Sequence, residues 1–227
     1  MNIVKKRSTV LIIADRHSPF TKEGYLQHCI DIRKEYKCNK FIDIGDETDN
    51  CALSDYEKDP DGLSAGNEYI AALKDMQKWY KAFPKVDVCI GNHSARIFRK
   101  SRSAGIPKQM LKSYEEIWKA PKGWNWAESW EIDDVHYTHG TGLSGQGSAL
   151  KLALQYRQNC VIGHVHSVAG INYSASKKDL VWGMNVGGAI DDSTYAAAYA
   201  KDQIKKSIVG TGVVLDGILP IYLPMKL

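Results

Sequence analysis

No stretch of this chain approaches the roughly 20 consecutive apolar residues needed to cross a bilayer. The opening Met1-Asn2-Ile3-Val4-Lys5-Lys6-Arg7 is not followed by the apolar core of a leader peptide. The expectation is a cytoplasmic protein with no membrane partner. Cysteine is sparse: Cys29, Cys38, Cys51, Cys89 and Cys160 show no Cys-x-x-Cys spacing, and their odd number argues against a complete disulfide framework. Cys89 and Cys160 fall inside apolar runs, where a reduced thiol serves as a small core filler. A large excess of one charge is also lacking. The net charge of +4 and a pI near 8.6 permit an anionic substrate without demonstrating one, since a strong nucleic-acid footprint carries a pI above about 9. At 227 residues the chain is long enough for one substantial core and short for two, so 1–227 reads as a single domain.

What is present is a repeated ending. Val10-Leu11-Ile12-Ile13-Ala14 runs into Asp15-Arg16-His17, and Phe41-Ile42-Asp43-Ile44-Gly45 into Asp46. Val86 to Gly91 delivers Asn92-His93, Val135 to Thr138 delivers His139-Gly140, and Cys160 to Gly163 delivers His164-Val165-His166. Short Val- and Ile-rich runs closed by Gly or polar residues read as buried strands. Ligands of open α/β sheets sit outside the carboxyl ends of strands, so five strands would bring their Asp, Asn and His to one crevice. Five of the seven histidines lie at these ends. Within Asp15/His17 and within His164/His166 the i, i+2 spacing, in an extended segment, turns both side chains to one side, so each pair is expected to pinch an ion. Taken singly, each residue has a plainer reading as a surface histidine or a helix cap; the ordered repetition favours a metal site.

The ordered set Asp-x-His, Gly-Asp-x-x-Asp, Gly-Asn-His, His-Gly and Gly-His-x-His resembles the calcineurin-like metallophosphoesterase superfamily. Here it reads Asp15-Arg16-His17, Gly45-Asp46-Glu47-Thr48-Asp49, Gly91-Asn92-His93, His139-Gly140 and Gly163-His164-Val165-His166. Ala52-Leu53-Ser54 leading to Lys58-Asp59-Pro60, Arg96, and the tail from Asn185-Val186-Gly187 through Asp191-Asp192 to Gly212-Val213-Val214 look closest to small phage- or prophage-encoded members. The resemblance implies an α/β fold, a four-layer αββα sandwich of two facing mixed sheets flanked by helices. It implies two divalent ions, one held by Asp15, His17, Asp46 and His166, the other by Asp46, Asn92, His139 and His164. Asp46 would bridge them, lending one oxygen to each. Mixed N/O ligation suits manganese, our first expectation, or iron, zinc or nickel.

The chemistry implied is phosphate-ester hydrolysis, in which two ions lower the pKa of a bridging water and clamp the phosphate. His93 stands where the family places a general acid for the leaving group, and Asp49 where it places the carboxylate that orients that histidine. Arg96, three residues past His93, is the candidate substrate-binding cation. The leading expectation is a phosphodiesterase or nuclease acting on nucleic acid. The alternatives are a phosphomonoesterase acting on nucleotides or small metabolites, and a metal-stabilised binding scaffold without turnover. Asn50 and Ser94 replace an Arg and an acid of the protein phosphatases in this superfamily, which disfavours that activity. The sequence leaves the oligomeric state open.

Helical periodicity predicts a crossover helix over Lys22 to Lys37, a long helix over Leu63 to Phe83 with Tyr69, Ile70, Leu73, Met76, Tyr80 and Phe83 recurring, and a short basic helix over Ala95 to Ser103. The polar stretch Asp49 to Gly62 is either a frame for a substrate entrance or a connector. Gly140 to Gly147, before a helical pattern over Ser148 to Arg157, is either a flexible loop or a phosphate cradle. Trp124, Trp126 and Trp130 share parity and read as one packed face of a strand. Strand alternation turns His136 away from the site, and His28 lies on the first helix without an evident partner. Ile208 to Leu215, Asp216-Gly217 and Ile218 to Leu223 read as a terminal hairpin with Pro220 on an edge.

Overall fold

The structure, a computed structural model, describes residues 8–56, 58–194 and 205–226. The segment 1–7, read above for the absence of a leader, lies outside the described residues. Two mixed sheets form the centre. In the first, the parallel strands β1 (Thr9–Ile13), β2 (Lys40–Asp43), β3 (Val86–Cys89) and β4 (Trp124–Ala127) lie side by side in that order. The hairpin of β10 (Gly210–Leu215) and β11 (Leu219–Pro224) joins the free side of β1 in antiparallel register. The second sheet runs β5 (Ser129–Ile132), β6 (Val135–Thr138), β7 (Asn159–Ile162), β9 (Leu180–Val186) and β8 (Ala169–Ala175), with β6, β7 and β9 parallel.

The sheets pack face to face. Gly212 of β10 lies so close to Met184 and Val186 of β9 that a Cβ there would crowd both side chains, and Trp130 of β5 donates its indole N–H to the Val88 carbonyl of β3 at 3.0 Å. Outside the first sheet, α1 (Tyr25–Glu35) and α2 (Ala65–Ala82) bury Tyr25, Ile32, Met76, Trp79 and Tyr80. Outside the second, α5 (Ser148–Tyr156) packs on β7 and β9. The architecture is the expected αββα arrangement. Two shorter helices, α3 (Arg96–Ser103) and α4 (Tyr114–Ile117), lie between β3 and β4 in the chain, and α4 borders β4.

Local chemistry explains the boundaries. The Ser64 hydroxyl caps α2 by accepting from the Asn67 amide, so the long helix starts where a hydroxyl can satisfy an orphan N–H. The first crossover helix is shorter than its periodicity suggested, because Gly24 at φ 81 breaks the chain before Tyr25. Ile70 was expected among the core positions of α2 but is 64% exposed. The three tryptophans do not share a strand: Trp124 and Trp126 lie on β4 and Trp130 on β5, in different sheets. Parity survives a break between strands, so it cannot reveal one. All five cysteines are free, and Cys89 and Cys160 are fully buried. β11, with Pro220 and Pro224, forms an edge of the first sheet. No helix among the described residues is long and apolar enough to cross a membrane.

Candidate metal centre

Each of the five strand-end motifs arrives at the same place. Asp15 and His17 follow β1, Asp46 follows β2, Asn92 and His93 follow β3, His139 follows β6, and His164 and His166 follow β7. The turns that deliver them are sharp: His17, Asp46 and His164 all have positive φ, at 52°, 49° and 65°. Two of the tightest approaches need glycine. A Cβ on Gly91 would collide with the Asp46 carboxylate, and one on Gly163 with that of Asp15.

Donor atoms gather in three groups. Asp15, His17 and His166 form one, with Asp15 Oδ2 3.1 Å from His166 Nε2 and the Nε2 atoms of His17 and His166 3.2 Å apart. Asp46, His139 and His164 form the second. There His139 Nε2 lies 3.1 Å from Asp46 Oδ2 and 3.0 Å from Asn92 Oδ1. The third is His17, Asp49 and His93. His164 and His166 fall into different groups, so they do not pinch one ion as their spacing suggested. The left-handed backbone at His164 abolishes the extended geometry on which that expectation rested.

The electrostatics of these groups are those of a cation site. Burial lowers His139, but the Asp46 and Asp15 carboxylates outweigh it and push the ring up to about 9. Burial likewise opposes ionisation of Asp46, yet His139 and His93 hold it well below the ordinary carboxylate range. His17 is lowered by burial and by His93, and His164 by burial and by His139. Divalent ions fit the donors on three counts. Asp15 Oδ1 is buried with no hydrogen-bond partner. His17 Nε2, His166 Nε2 and Asp15 Oδ2 converge on one point, with His166 Nε2 3.2 Å from the first and 3.1 Å from the last. His139 Nδ1 donates to the Ile44 carbonyl at 3.2 Å, so Nε2 is the ring nitrogen turned toward the Asp46 and Asn92 oxygens, where a divalent cation would take the place of the proton that the raised basicity favours.

Asp49 and His93 border the first two groups. Asp49 Oδ1 receives His93 Nδ1 at 2.5 Å and His17 Nδ1 at 3.4 Å. Burial raises Asp49, and these two histidine hydrogen bonds override it to keep the carboxyl ionised. Arg96 is buried, with Nη1 donating to the Asp49 carbonyl at 2.9 Å and the Asn50 carbonyl at 3.3 Å, and Nη2 lying 3.3 Å from His93 Nε2. His136 points away, paired with Glu131 at 2.7 Å and stacked on Tyr156. His28 finds a partner in the Leu223 carbonyl at 3.3 Å.

Behind the donor atoms lie buried charged residues that the strand-end motifs do not reveal. Arg16, the middle residue of Asp15-Arg16-His17, is fully buried and bonds Asp43 Oδ2 through Nε at 2.9 Å and Nη2 at 2.7 Å. Its guanidinium lies over the Trp79 ring at 4.4 Å. Glu47 accepts from the Ser94 hydroxyl at 2.5 Å and from Trp126 Nε1 at 3.2 Å. Burial and the Asp43 charge push Glu47 up to about 7. One signal was available: Asp43 interrupts an apolar strand, and a buried carboxylate there demands a cation.

No family model and no curated protein matches the sequence. Among solved structures, the chain is similar over 97% of its length to vacuolar protein sorting 29 from Cryptosporidium parvum, covering 98% of that chain at 11% identity and a TM-score of 0.47. It is similar over 95% to YfcE, a phosphoesterase from E. coli, covering 99% of that chain at 11% identity and a TM-score of 0.48. Similarity to the Pseudomonas putida nuclease MPE extends over 95% of this chain and 87% of that one, at 15% identity and a TM-score of 0.38.

Proposed function

We propose that the chain is a metal-dependent phosphoesterase of the calcineurin-like kind, acting as one domain over 1–227 and preferring phosphodiesters, nucleic acid among them. The observation that carries this reading is the meeting of two Asp/His groups from both sheets with the His93–Asp49 pair at their border. Asp15, His17, Asp46 and His166 would hold one divalent cation, and Asp46, Asn92, His139 and His164 the other. When bound, such a pair supplies an activated water and neutralises the phosphate oxygens. Manganese is the ion we would load first. A phage or prophage origin, which the sequence motifs suggest by resemblance alone, would fit a host-cytoplasmic role in nucleic-acid metabolism.

The protein's own groups supply the rest. Asp49 accepts at both its carboxylate and its carbonyl from His93 Nδ1. That fixes the hydrogen on Nδ1 and leaves Nε2 to face the reaction. Arg96 has one arm committed to the Asp49 and Asn50 carbonyls and its other beside His93 Nε2. Nε2 accepts from Arg96 in this arrangement, so for His93 to act as an acid Nη2 must swing onto a phosphate oxygen and Nε2 must take up a proton from solvent, giving an imidazolium whose Nε2 proton passes to the leaving oxygen. Substrate binding and the acid step would then be linked through one guanidinium.

The test is a substrate panel on protein chelated and reloaded with manganese. We expect bis(p-nitrophenyl) phosphate to be hydrolysed at least as fast as p-nitrophenyl phosphate. A diester carries about one charge rather than two, and the cations bonded at this site are few: Arg96 beside His93, and Arg99, which donates to the Asn92 carbonyl at 2.8 Å. A clear monoester preference with no DNA or RNA binding would replace this reading with a nucleotide or metabolite phosphomonoesterase. Full metal loading without any turnover would leave a binding scaffold.

A further inference from the structure

We infer that the buried pair of Arg16 and Asp43 positions the candidate metal centre, fixing the turns after β1 and β2 so that Asp15, His17 and Asp46 converge, and that it does not serve to stabilise the fold. This inference rests on the metal-dependent reading proposed above. Asp15 and His17 belong to one donor group, and Arg16 between them is fully buried. Its Nε and Nη2 both donate to Asp43 Oδ2, at 2.9 and 2.7 Å. The other oxygen, Asp43 Oδ1, accepts the Gly45 amide at 3.2 Å. One carboxylate thus grips the residue between two donors in the first turn and the residue just before Asp46 in the second.

Those turns need such a hold. His17 and Asp46 lie in the left-handed region, at φ 52° and 49°. That conformation is unfavourable for a residue with a side chain and persists only where the surroundings over-determine it. The two backbones already meet: the His17 amide donates to the Asp46 carbonyl at 2.9 Å and the Ser18 amide to the Glu47 carbonyl at 3.0 Å. The Arg16–Asp43 pair adds a side-chain tie between the same two turns. Gly45 has no room to absorb a shift, since a Cβ there would lie 2.8 Å from both the Cys89 carbonyl oxygen and His139 Nδ1. The scheme recurs one turn further on. Glu47 follows Asp46 and accepts from the hydroxyl of Ser94, which follows His93.

Stability does not account for the pair. Taking a guanidinium and a carboxylate out of water is costly, and well-packed apolar residues of similar volume often serve a fold as well or better. Arg16 lies over the Trp79 ring at 4.4 Å and 3.5 Å from the Met76 sulfur, surroundings in which a methionine would pack. What an apolar side chain cannot supply is direction. Two N–H bonds from a planar fork fix the guanidinium, and with it the backbone between Asp15 and His17, against β2.

The double variant Arg16→Met/Asp43→Asn removes both charges together, keeps the volume close and leaves an oxygen for the Gly45 amide. Chelated wild type and variant are titrated with manganese, free ion is read by electron paramagnetic resonance, and Tm is measured on the chelated proteins. The variant should fold and melt close to the wild type, while its manganese affinity falls by about 10- to 100-fold, the scale for losing a group that orients a metal ligand. Arg16→Lys, which keeps the charge and one donor for Asp43, should recover part of that loss. A folded double variant that binds manganese like the wild type overturns the inference, as does an Arg16→Lys protein that binds no better than the double variant. A double variant that fails to fold overturns it too, because the pair would then be holding the fold. A wild type that binds no manganese removes the metal-dependent reading itself, and this inference with it.

Discussion

At the scale of single residues, the two oxygens of Asp46 keep different company. Oδ1 accepts the His93 amide at 2.7 Å and the Ser94 amide at 3.3 Å, while Oδ2 faces His139. Asp46→Asn would keep one oxygen acceptor and lose the charge. Elemental analysis after chelation and reloading should find metal content reduced and hydrolysis nearly abolished, with His136→Ala indistinguishable from wild type in metal content. Equal metal retention by Asp46→Asn would remove the shared-ligand assignment. His93→Ala separates binding from chemistry: metal should stay, kcat should fall by about 10²- to 10⁴-fold, and the deficit should shrink for nitrophenolate esters, whose leaving group needs little protonation. A His93→Ala enzyme fully active on poor leaving groups would end the acid role. Residues of this kind were legible because each stands at the end of an apolar run. Arg16 was not legible, since nothing local distinguishes a buried guanidinium from a solvated one until Asp43 is seen across the turn.

Whole elements are fastened to the site from behind. Asp75 on α2 accepts from the Ser18 hydroxyl at 2.7 Å and Thr21 at 3.2 Å, both just beyond His17, and from Lys78 at 2.9 Å. Burial opposes its ionisation, but the hydrogen bonds from Lys78 and Ser18 prevail and hold the carboxyl below its ordinary 3.8. A depressed folded-state value means the carboxylate stabilises the fold fully above pH 3.8 and loses that contribution as pH falls through the lower folded value. Asp75→Asn should therefore cost about 1–2 kcal/mol near neutral pH, and the gap in urea midpoint should narrow below pH 3.8. A gap independent of pH would show that packing, not charge, holds α2 to the loop. Periodicity located α2 and α3 within a residue or two, whereas the join between β4 and β5 was invisible: Glu128 alone separates two strands that belong to different sheets.

On the scale of the molecule, the candidate ligands come from both sheets: Asp15, His17, Asp46 and Asn92 from the first, His139, His164 and His166 from the second. An ion held by both groups ties the layers together, so chelation should lower thermal stability as well as activity. An ion at about 100 times its Kd adds about 2.7 kcal/mol, or roughly 5 to 10 °C in Tm for a chain of this size. An unchanged melting curve after chelation and reloading would contradict ligation across the sheets. The αββα layering was legible from helices and strands alternating early and strands pairing late. The order of strands around β1 was not, because its partner β10 lies some 200 residues away in the chain: Thr9 faces Leu215. That long-range pairing matters during synthesis. Once His166 has left the ribosome, every candidate donor exists, yet the strand that closes one side of β1 is still unmade. A nascent chain in that interval exposes a bare, apolar strand edge, the kind of surface on which neighbouring chains pair wrongly. Completing the binding groups and protecting the sheet are thus separate events in the life of the polypeptide, and the second waits on β10, Gly210–Leu215.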